Sequence, residues 1–531
     1  MSGRLANLTE LSIEDLMNIS ITSASRKTQP LSETAAAVFV ITREDIRRSG
    51  ATSIPDLLRM VPGVEVAKLD ANKWAVTARG FNSQLSNKLL VLMDGRSVYS
   101  PMYSGVFWDQ QDTLLEDIDR IEVIRGPGGA VWGANAVNGV ISIITRPSQE
   151  THGGLMTGGI GTEEKGFGGI RYGGEIRPDA HYRVYAKYFD RDGGEPFSDD
   201  DRYDDWHGVQ AGFRTDWDIL KNHSFTLQGD IHNGRSGQDV IVPSLMPPYL
   251  THAGTDENIF TANLLCSWNY QMSDRSETGF QIYYDRVKRD ILLVNSAQDI
   301  IDAEFRHRFS LGNFQEIQWG MGYRLIHDNI RNSVYATICP DSQSNNLFST
   351  FVQDEISVLN DTLFLTLGAK FEHNDYTGSE GQPNIRLLWK PAEKHSLWAA
   401  VSRAVRTPSR GETGLRLIQA IFPSDPSVPN APSVKFFLVG NREFDSETVT
   451  AYEAGYRVQP SGRFSLDMAG FYNRYKDLLS VEMADPLTLT FVNKIEGETY
   501  GLELSADWTP LPWWRLKFAY TFLHMQLRMR R

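Results

Sequence analysis

The chain has 531 residues, with 44 Gly, 23 Pro, 12 Trp, 20 Tyr, 26 Phe, only 2 Cys, and a formal net charge of −13. The length exceeds one ordinary domain, the acidic balance excludes a protein that lives on phosphate contacts to nucleic acid, and Cys266 and Cys339 are too few for a disulfide framework or a four-thiolate metal site. No run of about 18 apolar residues exists and the mean hydropathy is negative, which excludes a helical membrane protein.

The opening MSGRLANLTEL lacks the charged-then-apolar order of a secretory signal. The chain is therefore cytoplasmic, or its signal was removed or never included. From about 34 to 146 the pattern is compact α/β. Phe39 to Ile41 is a short apolar run, Thr42 is an N-cap with Glu44 and Asp45 in the first turn, and short helices follow, broken by Gly50, Pro55 and Pro62. LLVLMDGRSVY predicts a strand and a turn at Asp94-Gly95, and IDRIEVIRG and GVISIITR predict two more strands.

After about residue 152 the pattern changes to long alternating strands. Ile317, Trp319, Met321, Tyr323 and Leu325 alternate with Glu316, Gln318, Gly320, Gly322 and Arg324. Leu363, Leu365, Leu367, Ala369 and Phe371 alternate with Phe364, Thr366, Gly368, Lys370 and Glu372, and 515–522 repeats the theme. The pattern predicts seventeen strands, beginning near 153, 166, 181, 206, 223, 257, 275, 301, 314, 346, 361, 383, 395, 448, 462, 488 and 513. Links after even-numbered strands are short, whereas those after odd-numbered strands are mostly long, at 190–205, 233–256, 328–345 and 404–447. Short turns at one end and long loops at the other mark an outer-membrane barrel, whose closure satisfies membrane-buried backbone without an exposed edge. A soluble propeller or sandwich would alternate too, but it would not sort its loop lengths by strand parity.

A wide barrel has room for a plug, and here the residues become recognisable. LLRMVPGVEV, AVTARGFNS, LLVLMDGRSVYSP and DIDRIEVIRGPGGAVWGANAVNGVISIITR closely resemble the plug domain of TonB-dependent outer-membrane receptors, over nearly all of 34–146. The barrel resembles the family more loosely, through SRAVRTPS (402–409), ETVTAYEAGYR (447–457) and ETYGLELSADW (498–508). The resemblance implies a mainly β fold: a large antiparallel transmembrane β-barrel over 151–531, an α/β plug domain over 34–150 in its lumen, and a coupling segment over 1–33. It implies uptake of a scarce solute, most commonly an iron-siderophore or related metal chelate, otherwise cobalamin or another nutrient. The implied partner is the TonB protein in the periplasm with its inner-membrane energising complex, and the implied setting is outer-membrane lipid in a Gram-negative cell, as a monomer. A surface binding site for phage or bacteriocins is the competing role. No catalytic residue or cofactor is expected, since the 11 His form no i, i+4 metal pair and no nucleophile motif stands out.

Energy coupling needs an extended peptide that a partner grips by strand addition. NISITSASRK (18–27) fits by position, with Ile19, Ser20, Ile21, Thr22 and Ser23 as the TonB-box-like residues; it departs from the commoner acidic-Thr-apolar-x-Val form, and a disordered tail is the alternative. Too few residues precede it for the extra domain of signalling members, so transport alone is expected. Arg79 and Arg125 match family positions that pair with barrel carboxylates and lock plug to wall, the alternative being Arg on carbonyls inside the plug. Gly126, Gly128, Gly129, Gly133 and Gly139 suit tight turns and close backbone approach.

Ligand recognition in the family falls on plug apices, here FNSQLSNK (81–88) and SVYSPMYSGVFWD (97–109). Asn82, Gln84, Tyr99, Tyr103 and Trp108 are the substrate-binding candidates, unless the aromatics pack the plug against the wall. The acidic run at 190–206, with Asp199, Asp201 and Asp204, is either a solvated loop or a weak calcium site, without the strict spacing of a calcium loop. Family barrels have roughly 22 strands, so seventeen with a basic end at QLRMRR lead to the expectation of a chain about five strands short of closure.

Overall fold

A computed structural model describes residues 19–194, 203–220, 222–359, 362–423, 427, 432–511 and 513–530. The N-terminal part contains β1 (Ser20–Ile21), β2 (Gln29–Pro30), β3 (Ala37–Thr42), α1 (Arg43–Ser49), α2 (Ile54–Leu58), β4 (Val64–Lys68), β5 (Trp74–Ala78), β6 (Leu89–Met93), β7 (Arg96–Ser97), β8 (Ile118–Arg125), α3 (Gly129–Trp132) and β9 (Gly139–Thr145). The strand from Phe39, the capped helix after it, and the strands at 89–93, 118–125 and 139–145 lie where the sequence pattern predicts them. Sequence reading missed the β4–β5 hairpin, because its residues alternate too briefly to stand out.

Local chemistry explains α1. The Thr42 hydroxyl accepts from Asp45 N at 3.2 Å while Asp45 accepts from Thr42 N at 3.0 Å, a reciprocal cap, and Gly50 ends the helix at φ 71°. The main sheet runs β3-β8-β9-β6-β7, with β6 and β9 parallel and the other pairs antiparallel. LLVLM and GVISII are nearly unbroken apolar runs because a parallel pair is covered on both faces. Ile41, Leu57, Leu58, Trp74, Val91, Ile121 and Ile143 form the core beneath it.

The remainder is one sheet of strands in sequence order, Gly153–Gly159 to Trp514–Met529. Among the described residues it has twenty strands, seventeen of them those expected from the alternation. The other three, Ala336–Ile338, Leu415–Pro423 and Ser433–Val439, lie within two of the long links. Four strands start earlier than the alternation predicts, at Leu250, Val294, Ser342 and Gly378 rather than near 257, 301, 346 and 383. The link expected at 233–256 is for the most part a β-ribbon, paired from His223↔Tyr270 out to Pro243↔Leu250. Beyond the bilayer both faces of such a ribbon are wet, so pairing continues after the apolar alternation has stopped. Several links after odd-numbered strands are therefore short turns on long ribbons, and the long ones are 192–205, 333–341 and 407–446.

The faces are inverted relative to a soluble protein. Met321, Leu367 and Phe371 point outward and are exposed, while Gln318, Asp328, Lys370 and Glu372 point inward and are buried. Aromatic rings gather at the short-turn end: Trp217 against Phe225 at 5.1 Å, His223 against Tyr270 at 4.2 Å, and Trp513 against Trp514 at 6.3 Å. Such girdles sit where hydrocarbon gives way to headgroups. Leu367, mid-strand and outward, tests the orientation. We expect Leu367→Arg to cost about 2–4 kcal/mol in lipid vesicles, read as a lower denaturant midpoint, with Leu367→Ile staying within about 1.5 kcal/mol.

Candidate functional site

The segment expected to couple to a partner does not hang free from Ile19 onward; residue 18 lies outside the described residues. β1 pairs with β2 through two register pairs, Ser20↔Pro30 and Ile21↔Gln29, and Leu31 N bonds Ile19 O at 3.0 Å. Ile21 is fully buried among Val38, Val40, Leu90 and Ile124. Thr22 N and Ser23 N donate to the buried Glu122 carboxylate at 3.0 and 2.8 Å, and Trp132 Nε1 donates to Ser23 O at 2.7 Å. Alternation alone suggested an extended strand; Glu122, a hundred residues on, could not be read as its acceptor.

Residues 26–36 then follow the short-turn rim of the wall. Lys27 pairs with Glu355 at 2.7 Å and Glu316 at 3.0 Å, Lys390 with Glu33 at 2.7 Å, and the Ser396 hydroxyl donates to Ser32 O. Arg457 donates to three carbonyls, Leu31 O, Thr34 O and Ala36 O, at 2.6–3.1 Å. The segment thus enters at the short-turn end, the periplasmic end in an outer-membrane barrel.

Deeper in, plug and wall meet through buried charge. Arg79 Nη1 reaches Glu453 at 2.6 Å and its Nε reaches Glu503 at 3.0 Å, and its guanidinium lies 4.2 Å from the Phe471 ring. Arg125 meets the same Glu503 at 3.2 Å and also donates to Pro62 O at 3.1 Å, so both anticipated partner types, a barrel carboxylate and a plug carbonyl, are present. A Cβ at Gly126 or Gly63 would collide with the Glu453 or Glu503 carboxylate, which gives these glycines a spatial reason.

Sequence reasoning missed a second charged contact nearer the long-loop end. Lys88 Nζ meets Glu447 at 2.5 Å, and Arg406 bridges Glu447 at 2.9 Å and Glu412 at 2.8 Å. Arg406 and Glu447 lie inside two of the family-like barrel pieces, which was the available signal. The long link 407–446 also rests on the plug apex: Arg410 N bonds Pro101 O at 3.0 Å and Gly411 N bonds Met102 O at 2.8 Å. A third contact joins Arg289 to Asp109 at 2.6 Å and to Glu257.

The five ligand candidates divide. Gln84 is exposed, Asn82 is half-buried with its Oδ1 unpartnered among the described residues, Tyr99 donates to Asn87 O at 3.0 Å, and Tyr103 stands edge-on to Phe107 at 6.1 Å. Burial pushes the Tyr103 phenol up to about 12 and the Tyr99 phenol up as well, so both stay protonated donors near neutrality. Trp108 is a correction: at 6% exposure it packs in the plug core, out of reach of a ligand. In the acidic link, Asp199 and Asp201 lie outside the described residues. Asp204 accepts from Ala71 N at 2.7 Å and Gly194 N at 2.9 Å, and no trio of acidic, His or Cys side chains stands ready for a cation among the described residues.

Comparison with known proteins agrees with this geometry. Residues 156–528 match the family model described as TonB dependent receptor-like, beta-barrel, and residues 30–140 match the TonB-dependent Receptor Plug Domain. An iron-regulated outer membrane virulence protein of Vibrio cholerae is 22% identical over 538 residues, covering 95% of this chain and 78% of that protein. The vitamin B12 transporter BtuB of Vibrio vulnificus is 37% identical over 145 residues, which span 27% of this chain and 23% of that transporter. Among solved structures, the siderophore receptor PirA from Pseudomonas aeruginosa is similar at a TM-score of 0.71 and 18% identity, over 93% of this chain and 86% of that one. With its barrel and its plug both matched, the chain belongs to the family of TonB-dependent receptors.

Proposed function

We propose that this chain takes up a scarce solute across the outer membrane, a ferric siderophore or related metal chelate, with energy delivered by the TonB protein of the periplasm. The observation that carries this reading is the joint placement of the β1–β2 segment at the short-turn end and a plug held in the lumen by buried ion pairs. A plug that seals by charge and hydrogen bonds, rather than by an apolar face, stays in register yet separates under force without leaving a large greasy surface in water. Asn82, Gln84, Tyr99 and Tyr103 offer the polar and ring surfaces at the apex for the arriving chelate, with the 407–446 link above them. Residues Ile19 to Ser23 supply the backbone for strand addition, and Arg79 and Arg125 hold the docked plug.

The iron-related names among the relatives support a ferric cargo. The likeness to the cobalamin transporter spans about a quarter of this chain, whereas the likeness to the iron-regulated protein spans nearly all of it, so the former weighs less on the choice of solute. Cobalamin remains the second reading. Titration of the purified chain is expected to show saturable binding of a ferric chelate; saturable binding of cobalamin alone would transfer the assignment.

Deleting residues 19–25, or collapsing the proton gradient, is expected to abolish accumulation of labelled iron while chelate binding persists. Accumulation that survives both treatments would sink the coupled mechanism. Glu503→Gln leaves Arg79 and Arg125 short of a buried counter-charge and is expected to destabilise the docked plug by about 3–5 kcal/mol, seen as protease cleavage of the plug at lower denaturant. Lys517→Gln, which breaks only the rim pair with Asp45, is expected to move it by less than about 1 kcal/mol.

A further inference from the structure

Between the plug and the wall strands from Ser276–Asp290 to Leu363–Asn374 lies a cavity of about 190 Å³. The plug contributes Ser97, Tyr99 and Trp132, the wall contributes Tyr283 and a set of charges, and Arg26 closes its short-turn end. Arg26 stands between the paired strands β1 and β2, with its guanidinium 4.2 Å from the Trp132 ring and 5.2 Å from the Phe351 ring.

The charges in this space do not balance. Four cations line it, Arg26, Arg306, Arg324 and Lys370, against three carboxylates, Asp302, Glu304 and Glu372. Two carboxylates are committed: Asp302 to Arg324 at 2.7 Å, and Glu304 to Arg26. Glu372 accepts from Ala134 N at 2.7 Å and Gln382 Nε2 at 2.8 Å, and stands 3.9 Å from Lys370, too far for a hydrogen bond. Arg306 has a neutral partner, Asn269, at 2.7 Å. Lys370 therefore makes no hydrogen bond among the described residues, and its ammonium lies within electrostatic range of the carboxylates of Glu372 and Asp302 as well as of the like charges of Arg26 and Arg324.

The neutral donors are unpartnered too. The Tyr283 hydroxyl, in a residue 2% exposed, and the Ser97 hydroxyl, in a residue 6% exposed, have no hydrogen-bond partner among the described residues, and neither has Arg26 Nε. Each buried polar group left unmade costs about 1–3 kcal/mol. Three such groups, and an ammonium without a hydrogen bond in a lining that carries one more cation than carboxylates, suit an acceptor that carries negative charge. Its size is bounded, because pockets for drug-sized ligands run to about 300–1,000 Å³, so a bulky chelate does not fit as the space stands.

We infer that this cavity is a binding site for one small oxygen anion, of the carboxylate, phosphate or catecholate kind, held by Lys370 and Arg324 with the Tyr283 and Ser97 hydroxyls and Arg26 Nε. The site adjoins the plug apex and shares Ser97 and Tyr99 of the 97–109 segment with it, while its charged groups come from the wall and from Arg26. Because Arg26 belongs to the β1–β2 segment, anion binding and docking of that segment favour each other, and withdrawal of the segment removes one ligand from the anion.

Calorimetry on the purified full chain with citrate, inorganic phosphate and 2,3-dihydroxybenzoate tests this. At least one is expected to bind saturably at one equivalent, and the probe preferred names the class. Lys370→Met is expected to weaken binding by about 10-fold or more, the loss of a charge-assisted contact. Tyr283→Phe is expected to weaken it severalfold with no fall in melting temperature, since its hydroxyl has no partner among the described residues to lose. Absence of stoichiometric binding by all three probes, or affinity unchanged in Tyr283→Phe and in folded Lys370→Met, overturns the proposal.

Discussion

A wall side chain that turns away from lipid must be met inside the lumen, and in this chain it is met by the plug. Period-2 alternation in a membrane barrel obliges every second residue to face inward, and here those inward residues include Glu503, Glu447, Asp285 and Arg289, all buried, and Glu453, which is half-buried. An isolated charge in such a place is costly beyond repair by packing. Arg79, Arg125, Lys88, Arg96 and Asp109 answer them from the plug side. The apolar core of the plug makes it fold; the charged rim of the plug makes it fit this wall.

That division of labour has an energetic reason. Burying an ion pair recovers in Coulomb attraction roughly what desolvation takes away, so its net gain is small, while removing one partner is severe. An interface of this kind penalises the wrong docking more than it rewards the right one. The glycines sharpen the selection, since Gly63 and Gly126 leave space for carboxylates that any Cβ would exclude.

How much of this was legible in the sequence follows from the range of each signal. The seventeen long strands and the outward face of Met321 and Phe371 were legible, because alternation is local and the bilayer enforces it. Strand ends at Leu250 and Val294 were not, because above the membrane the same hydrogen-bonded ladder runs on without an apolar face to mark it. Arg79 and Arg125 were legible as family positions, but their partners lie more than 370 residues away along the chain, and nothing local in Glu453 or Glu503 announces the pairing. Trp108 was misjudged because an aromatic residue in an apex motif has the same local signature whether it faces a ligand or the core.

The β1–β2 segment, proposed to couple to the partner, shows the same limit and adds a mechanical point. β1 and β2 share only two register pairs, a ladder too short to stand by itself. What holds Thr22 and Ser23 is the Glu122 carboxylate, which occupies the two backbone donors that an added strand would have to engage. Glu122 also accepts from Arg120 at 2.8 Å, so it keeps a cationic partner when the segment leaves. Under the proposed strand addition, the competition is between one carboxylate and a full edge strand for the same N–H groups. A weak hairpin with a strong, self-sufficient acceptor behind it releases its backbone without stranding a buried charge, which a longer native ladder or a lone Glu122 would not allow.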